Sequence, residues 1–205
     1  LCGIVLTDGH ISKNRFEITS TTKEILLKTQ SICENYKWTT QLEEKRIIVY
    51  GKEACNYMIS MGIKQGNKSI SQDLPTWAGK SSAEVVSAFI AGVIDGDGSI
   101  SKFNTKNRVT TASYQFARKF NALLNSMGIS SGVSNPQFDE RNRKIRSKHP
   151  TYKISHQALT YEICQHLSHP EKIKRSKIEP SYQRKTRRVK SVYIEKYEGY
   201  FYDFT

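Results

Sequence analysis

Two stretches of this 205-residue chain are copies of one pattern, Leu1-Cys2-Gly3-Ile4-Val5-Leu6-Thr7-Asp8-Gly9 and Ile90-Ala91-Gly92-Val93-Ile94-Asp95-Gly96-Asp97-Gly98. Each is an apolar run broken by one Gly, then an Asp, then at once a Gly that stops a helix. The match continues as His10-Ile11-Ser12-Lys13 against Ser99-Ile100-Ser101-Lys102, an offset of 89 residues throughout. An internal repeat with an acid at the same place in both copies predicts two half-domains that bring Asp8 and Asp97 to one shared site.

Length agrees with that division, since 205 residues make two halves of about 100 residues each. Net charge is +13, and residues 139 to 190 alone hold 15 Lys and Arg against 5 acids. Such an excess is the footprint of a polyanionic partner. Tyr152, Tyr182 and Tyr193, interleaved with the cations, favour nucleic acid over an anionic membrane. No apolar run is long enough for a membrane span and no signal peptide opens the chain, so the expectation is a soluble, intracellular, cytoplasmic protein. Cys2, Cys33, Cys55 and Cys164 lack paired metal spacing and read as reduced, packed thiols.

Periodicity supplies the remaining elements. Residues 15 to 21 alternate like a half-buried strand, 23 to 36 carry a helical stripe, 38 to 43 and 46 to 50 form a hairpin, and 52 to 61 a helix closed by Gly62. A polar loop over 64 to 73 leads to Ser81-Ser82-Ala83-Glu84, which has the spacing of a capping box and predicts the start of the second motif helix. The order then repeats: a strand at 108 to 112, a helix at 114 to 127 stopped by Gly128, a strand-like stretch at 131 to 138, a basic hairpin loop at 139 to 149, a strand at 151 to 155 and a helix at 158 to 167. Ala88 and Gly92, four apart, leave a smooth stripe for a second helix to approach.

An Asp on the last turn of a helix sits at the negative end of the peptide dipole, at a cost of about 0.3–1 kcal/mol for an exposed group. Two such ends together add mutual repulsion, a poor core and a good cation site. Hard divalent cations take carboxylate, carbonyl and phosphate oxygens, so Asp8 and Asp97, with backbone carbonyls near Thr7 and Gly96, are the candidate ligands for Mg²⁺ or Mn²⁺. His10 has Ser99 as its equivalent and is read as a strand residue.

Taken with Phe89 before it, the second copy resembles the LAGLIDADG motif of homing endonucleases, and the first resembles a more divergent version. The resemblance implies an α+β fold, a pseudo-twofold duplicated αββαββα pair whose motif helices pack side by side and whose curved antiparallel sheets form a DNA-binding saddle. It divides the chain into a first half-domain at 1–78, a second at 79–180 and a basic tail at 181–205. Leu6 departs from the motif by replacing its first acid. The resemblance places catalysis on the second acid, here Asp8 or Asp97, and leaves Asp95 a structural role. It also implies one basic residue per half, in the loop after the last helix. Lys68 in Gly66-Asn67-Lys68-Ser69 fits the first, and Lys174 in Glu171-Lys172-Ile173-Lys174 fits the second, with Lys177 as the alternative.

Reading of double-stranded DNA then falls to cations on the sheet faces and hairpin tips. The candidates are Lys13, Arg15, Arg46, Lys102, Arg108, Arg141, Arg143, Arg146 and Lys153. With both motif copies in one chain, the expected state is a monomer. The motif begins at residue 1, which predicts a longer polypeptide upstream. Glu198-Gly199-Tyr200-Phe201-Tyr202-Asp203 resembles the start of the C-terminal splicing block of inteins, although a plain β-strand accounts for the same residues. These features together predict a Mg²⁺-dependent, site-specific DNA endonuclease lodged in an intein and fused to its splicing domain. The rivals are a catalytically inactive DNA-binding relative and an RNA-splicing maturase.

Overall fold

A computed structural model of the chain describes residues 1–138 and 149–178, so the basic hairpin loop with Arg141, Arg143 and Arg146, and the tail with its intein-like block, lie outside the described residues. The first half runs α1 (Cys2–Asp8), β1 (Gly9–Ile11), β2 (Arg15–Thr19), α2 (Lys23–Asn35), β3 (Thr39–Leu42), β4 (Arg46–Tyr50) and α3 (Lys52–Ser60). The second repeats that order as α4 (Ala83–Asp97), β5 (Gly98–Ser99), β6 (Asn107–Thr111), α5 (Tyr114–Ser126), β7 (Ser131–Val133), β8 (Tyr152–His156) and α6 (Tyr161–His166). It then adds α7 (Pro170–Ser176).

Both halves form a four-stranded antiparallel sheet of the same topology, β1-β2-β4-β3 and β5-β6-β8-β7. Alternation decides which face each strand buries. Phe16 and Ile18 of β2 pair with Val49 and Ile47 of β4 on the core side, while Arg15, Glu17 and Thr19 turn outward. In the second sheet Val109 pairs with Ile154 on the core side, and Arg108 and Thr110 face outward beside Ser155 and Lys153. The helices fill the inner faces, α2 with Ile25, Leu26 and Cys33, and α5 with Phe116, Phe120 and Leu124. Gly62 and Gly128 end their helices at φ of +84° and +76°, the left-handed backbone that glycine adopts without a Cβ clash.

Helices α1 and α4 join the halves. A Cβ on Gly3 would stand 2.3 Å from the Phe89 carbonyl oxygen and 2.7 Å from the Val93 nitrogen. The repeat glycines are therefore where the two backbones touch.

Three local readings are corrected. The capping box does not form: α4 is capped at Ser82 without a side-chain bond, and the Ser81 hydroxyl donates instead to the Trp77 carbonyl within a short 3-10 turn (Thr76–Gly79). In the second half the strand-like stretch from 131 shrinks to β7, with one further bridge from Gln137 to Thr151. The stretch after α6, expected as loop, is helical from Pro170, whose fixed φ suits the first helical position.

Candidate active site at the paired motif ends

Asp8 and Asp97 are the last residues of α1 and α4, and Gly9 and Gly98 leave the helices directly into β1 and β5. The close glycine contact brings the two helix ends side by side. A Cβ on Gly96 would fall 3.1 Å from Asp8 Oδ2 and 2.0 Å from the Thr7 hydroxyl. That hydroxyl donates back to the carbonyls of Gly3 and Ile4. Only a glycine at 96 lets the first acid come this near the second motif.

Two lysines flank the acids. The buried Lys68 ammonium donates to the Val5 carbonyl. Lys172 donates to the carbonyls of Ile94 and Asp95, both at 2.7 Å. Val5 and Ile94 are the same position of the repeat, three residues before the acid, so the lysines are pseudosymmetric. Lys172, and not Lys174, therefore reaches the motif. The segment is a helix rather than a loop, and its 3.6-residue period turns Lys174 out to solvent. The sequence signal was present in the register of Pro170-Glu171-Lys172, which starts a helix at the Pro.

The neighbours act on each other's protons. Desolvation raises the Asp8 carboxyl above its ordinary range, offset in part by Lys172 and Lys68. Asp97 remains exposed, and desolvation of its carboxyl, then the Asp8 charge, push it up to about 6. Burial pulls Lys68 down to about 8 against the pull of Asp97 and Asp8, and it lowers Lys172 too. A carboxyl raised by desolvation and by the Asp8 charge beside it, as at Asp97, is what a divalent cation would relieve, with phosphate or water completing its shell. Among the described residues no group of three His, Cys, Asp or Glu forms a metal cage.

Lys68 lies in a cleft it shares with Thr7, Asp97, Gln72 and Thr110. Its loop belongs to the first half but is tied to the second, since Ser113 donates to the Gln72 carbonyl at 2.5 Å and Lys119 pairs with Asp73 at 2.5 Å. Lys172 is held within its own half. Its partner Asp95 is buried, and the carboxylate accepts from the backbone of Ser168 at 2.8 Å and His169 at 3.1 Å.

Of the nucleic-acid candidates, Arg15, Arg46, Arg108 and Lys153 lie on the outward sheet faces, and Lys13 and Lys102 on the turns after β1 and β5. They are not equally available. Arg46 is held by Glu43 at 2.6 Å, with Glu17 at 3.9 Å, and Lys153 donates to Gln137. Lys102 rests over the Phe103 ring at 5.7 Å, and Arg15 and Arg108 are exposed. No helix among the described residues is long and apolar enough to cross a membrane.

Residues 84–167 match the model of a LAGLIDADG-like domain. Among curated proteins, none matches the chain significantly. Among solved structures, an I-DmoI variant in complex with its target DNA, nicked in the coding strand and in the presence of Mn, superposes with a TM-score of 0.52 at 15% identity. The match covers 76% of this chain and 85% of that one. I-DmoI with DNA and Ca, and an I-DmoI variant with its target DNA and Mg, match at TM-scores of 0.48 with 14% and 13% identity. Each covers 76% of this chain, and 80% and 85% of the solved chains. At these identities the likeness is one of fold.

Proposed function

We propose, for a chain that carries a LAGLIDADG-like domain in the fold of the I-DmoI homing endonuclease, that it cuts double-stranded DNA at a specific site by hydrolysing one phosphodiester bond in each strand. The observation that carries this reading is the meeting of Asp8 and Asp97 at adjacent helix ends, flanked by Lys68 and Lys172 on equivalent carbonyls. A core has no use for two repelling acids and two half-desolvated ammonium groups. Hydrolysis of a polyanion has a use for all four.

Asp8, Asp97 and the backbone carbonyls of Thr7 and Gly96 would hold a divalent cation, Mg²⁺ or Mn²⁺. When bound, the ion polarises the scissile phosphate and lowers the pKa of attacking water. The remaining work belongs to the chain. Asp8 and Asp97 orient the water along the line of attack. Lys68, with a pKa near 8, takes or gives a proton at Nζ close to neutral pH, and Lys172, which burial also lowers, holds the equivalent place for the other strand. Their charge also steadies the developing negative charge on the phosphoryl oxygens. The outward faces of the two sheets, with Arg15 and Arg108 exposed, supply the grip on the duplex. Both halves come from one chain, so the working unit is a monomer. The motif-like C-terminal block is consistent with a place inside an intein, which sequencing of the surrounding gene for an interrupted host protein decides.

Incubating the folded chain with a library of long DNA duplexes and Mg²⁺ or Mn²⁺, then sequencing the new ends, tests the proposal. Recovery of one recurrent cut site is the expected result. A folded, cation-binding protein that yields no recurrent end overturns it.

A further inference from the structure

Of the two catalytic lysines, one is held by a device the other lacks. Helix α7 is fastened at both ends. At its start the buried Asp95 carboxylate accepts the N–H groups of Ser168 and His169, the residues leading into the helix. At its end the buried Asn104 side chain donates to the carbonyls of Ser176 and Ile178 at 3.3 and 3.1 Å, while the Arg175 guanidinium donates to the Ile100 carbonyl at 3.1 Å. Asp95 is the only one of these anchors that also meets Lys172, since its backbone carbonyl accepts the Lys172 ammonium. One residue thus fixes both the entry of the helix and the cation that the helix carries.

The first half has nothing equivalent. The repeat position of Asp95 is Leu6, which is buried among apolar side chains and bonds to no lysine-bearing segment through its side chain. Lys68 is placed instead by a turn in which its own carbonyl accepts from Ser71 and Gln72, and by the bond from Ser113 across the half-domain boundary. We infer that Asp95 is a positioning residue for Lys172, and that it acts on the cutting of one DNA strand and not of the other. The second clause rests on the nuclease reading above; the first does not.

Misplacement of a reacting group by about 1 Å costs on the order of 10²-fold in rate. Asp95→Asn keeps the volume but turns an amide N–H toward one of the two backbone donors, which frees the start of α7. Arg175→Met removes an anchor at the partly exposed far end and is the gentler variant should Asp95→Asn fail to fold.

The test has two arms. In the first, ¹H–¹⁵N spectra of the lysine ammonium groups are recorded on ¹⁵N-lysine protein, the signals being assigned with Lys172→Arg and Lys68→Arg. A slowly exchanging Lys172 signal that is lost in Asp95→Asn and weakened in Arg175→Met, with the Lys68 signal unmoved, is expected. An unmoved Lys172 signal in a folded Asp95→Asn protein overturns the positioning role. In the second arm a duplex recovered from the library is labelled on each strand. Asp95→Asn should slow the same strand that Lys172→Met slows, on the order of 10- to 100-fold. Equal slowing of both strands overturns the strand assignment. If the wild-type chain cuts no duplex, the nuclease reading fails, and the ammonium spectra still decide whether Asp95 holds Lys172.

Discussion

Gly3 and Gly92, the same position of the two motif copies, are in van der Waals contact across the helix pair: a Cβ on Gly92 would lie 3.1 Å from Gly3 Cα. The contact is not symmetric in its tolerance. A Cβ on Gly3 meets backbone at 2.3, 2.7 and 2.9 Å, and backbone cannot swing aside, whereas one on Gly92 meets nothing nearer than 3.1 Å. Gly3→Ala should therefore destabilise the fold by about 3 kcal/mol and Gly92→Ala by about 1 kcal/mol, as overpacking at a rigid and a slightly yielding contact. Denaturant unfolding of both variants checks the order, and a larger loss for Gly92→Ala would show that the helices approach differently.

Gly96 makes a second close approach, here between the motifs and the acids. A Cβ there would collide with Thr7 and press on Asp8 Oδ2 at 3.1 Å. Gly96→Ala is expected to weaken divalent-cation binding about tenfold or more by displacing one carboxylate, measured by calorimetric titration with Ca²⁺ or Mn²⁺. Unchanged affinity in a folded variant would separate Asp8 from the cation.

Desolvation and the Asp8 charge set an ionised Asp97 against the folded state. Folding raises its pKa from 3.8 to about 6, so the folded chain holds more protons than the unfolded chain in that window. Stability without cation is then fully retained below 3.8 and declines as pH rises to about 6. Asp97→Asn removes the ionisation. Its thermal midpoint in EDTA should exceed that of the wild type at pH 7, with the gap closing below 3.8, while cutting is abolished and DNA binding is retained. A variant that melts lower at pH 7 would mean the carboxylate stabilises the fold. By the same proton, cation affinity of the wild type should fall as pH drops through about 6.

The three lysines separate position from proximity in sequence. Lys68→Met and Lys172→Met should each lower single-turnover cutting by about 10²-fold or more, the range for a positioned proton-transfer group. Lys174→Met, on the exposed side of α7, should have the smaller effect. Quenched-flow rates on a recovered duplex decide it, and a Lys174 effect equal to that of Lys172 would refute the assignment of α7.

Outward cations differ in what they already hold. Arg108 is exposed and lies opposite Ser155 in the sheet register, while Arg46 is clamped by Glu43. Arg108→Ala should lower the slope of log K against log salt for DNA binding by about 1, and Arg46→Ala by less. Fluorescence anisotropy across a salt series reads both slopes, and equal slopes would show that DNA displaces Glu43 from Arg46.

The duplicated αββαββα order, the two motif helices and the two acids at their ends were legible from residue order, because each depends on local signals: period, Gly stops and an 89-residue repeat. Local signals also misled. Ser81 to Glu84 has capping-box spacing, yet Ser81 is taken by the Trp77 carbonyl. Lys174 and Lys177 are candidates only if the segment is a loop, whereas the helix that starts at Pro170 turns Lys172 to the motif.

What the sequence alone determined is that two equivalent acids close two equivalent helices in one chain. What only the tertiary structure decided is which other groups stand beside them. Lys68 lies 60 residues from Asp8, and Lys172 lies 75 from Asp97. Their meeting depends on packing of whole elements, on Gly3 against Phe89 and on Asp95 holding the start of α7. Contacts of that sequence separation follow from the three-dimensional closure of the core, to which no local pattern of residues is sensitive.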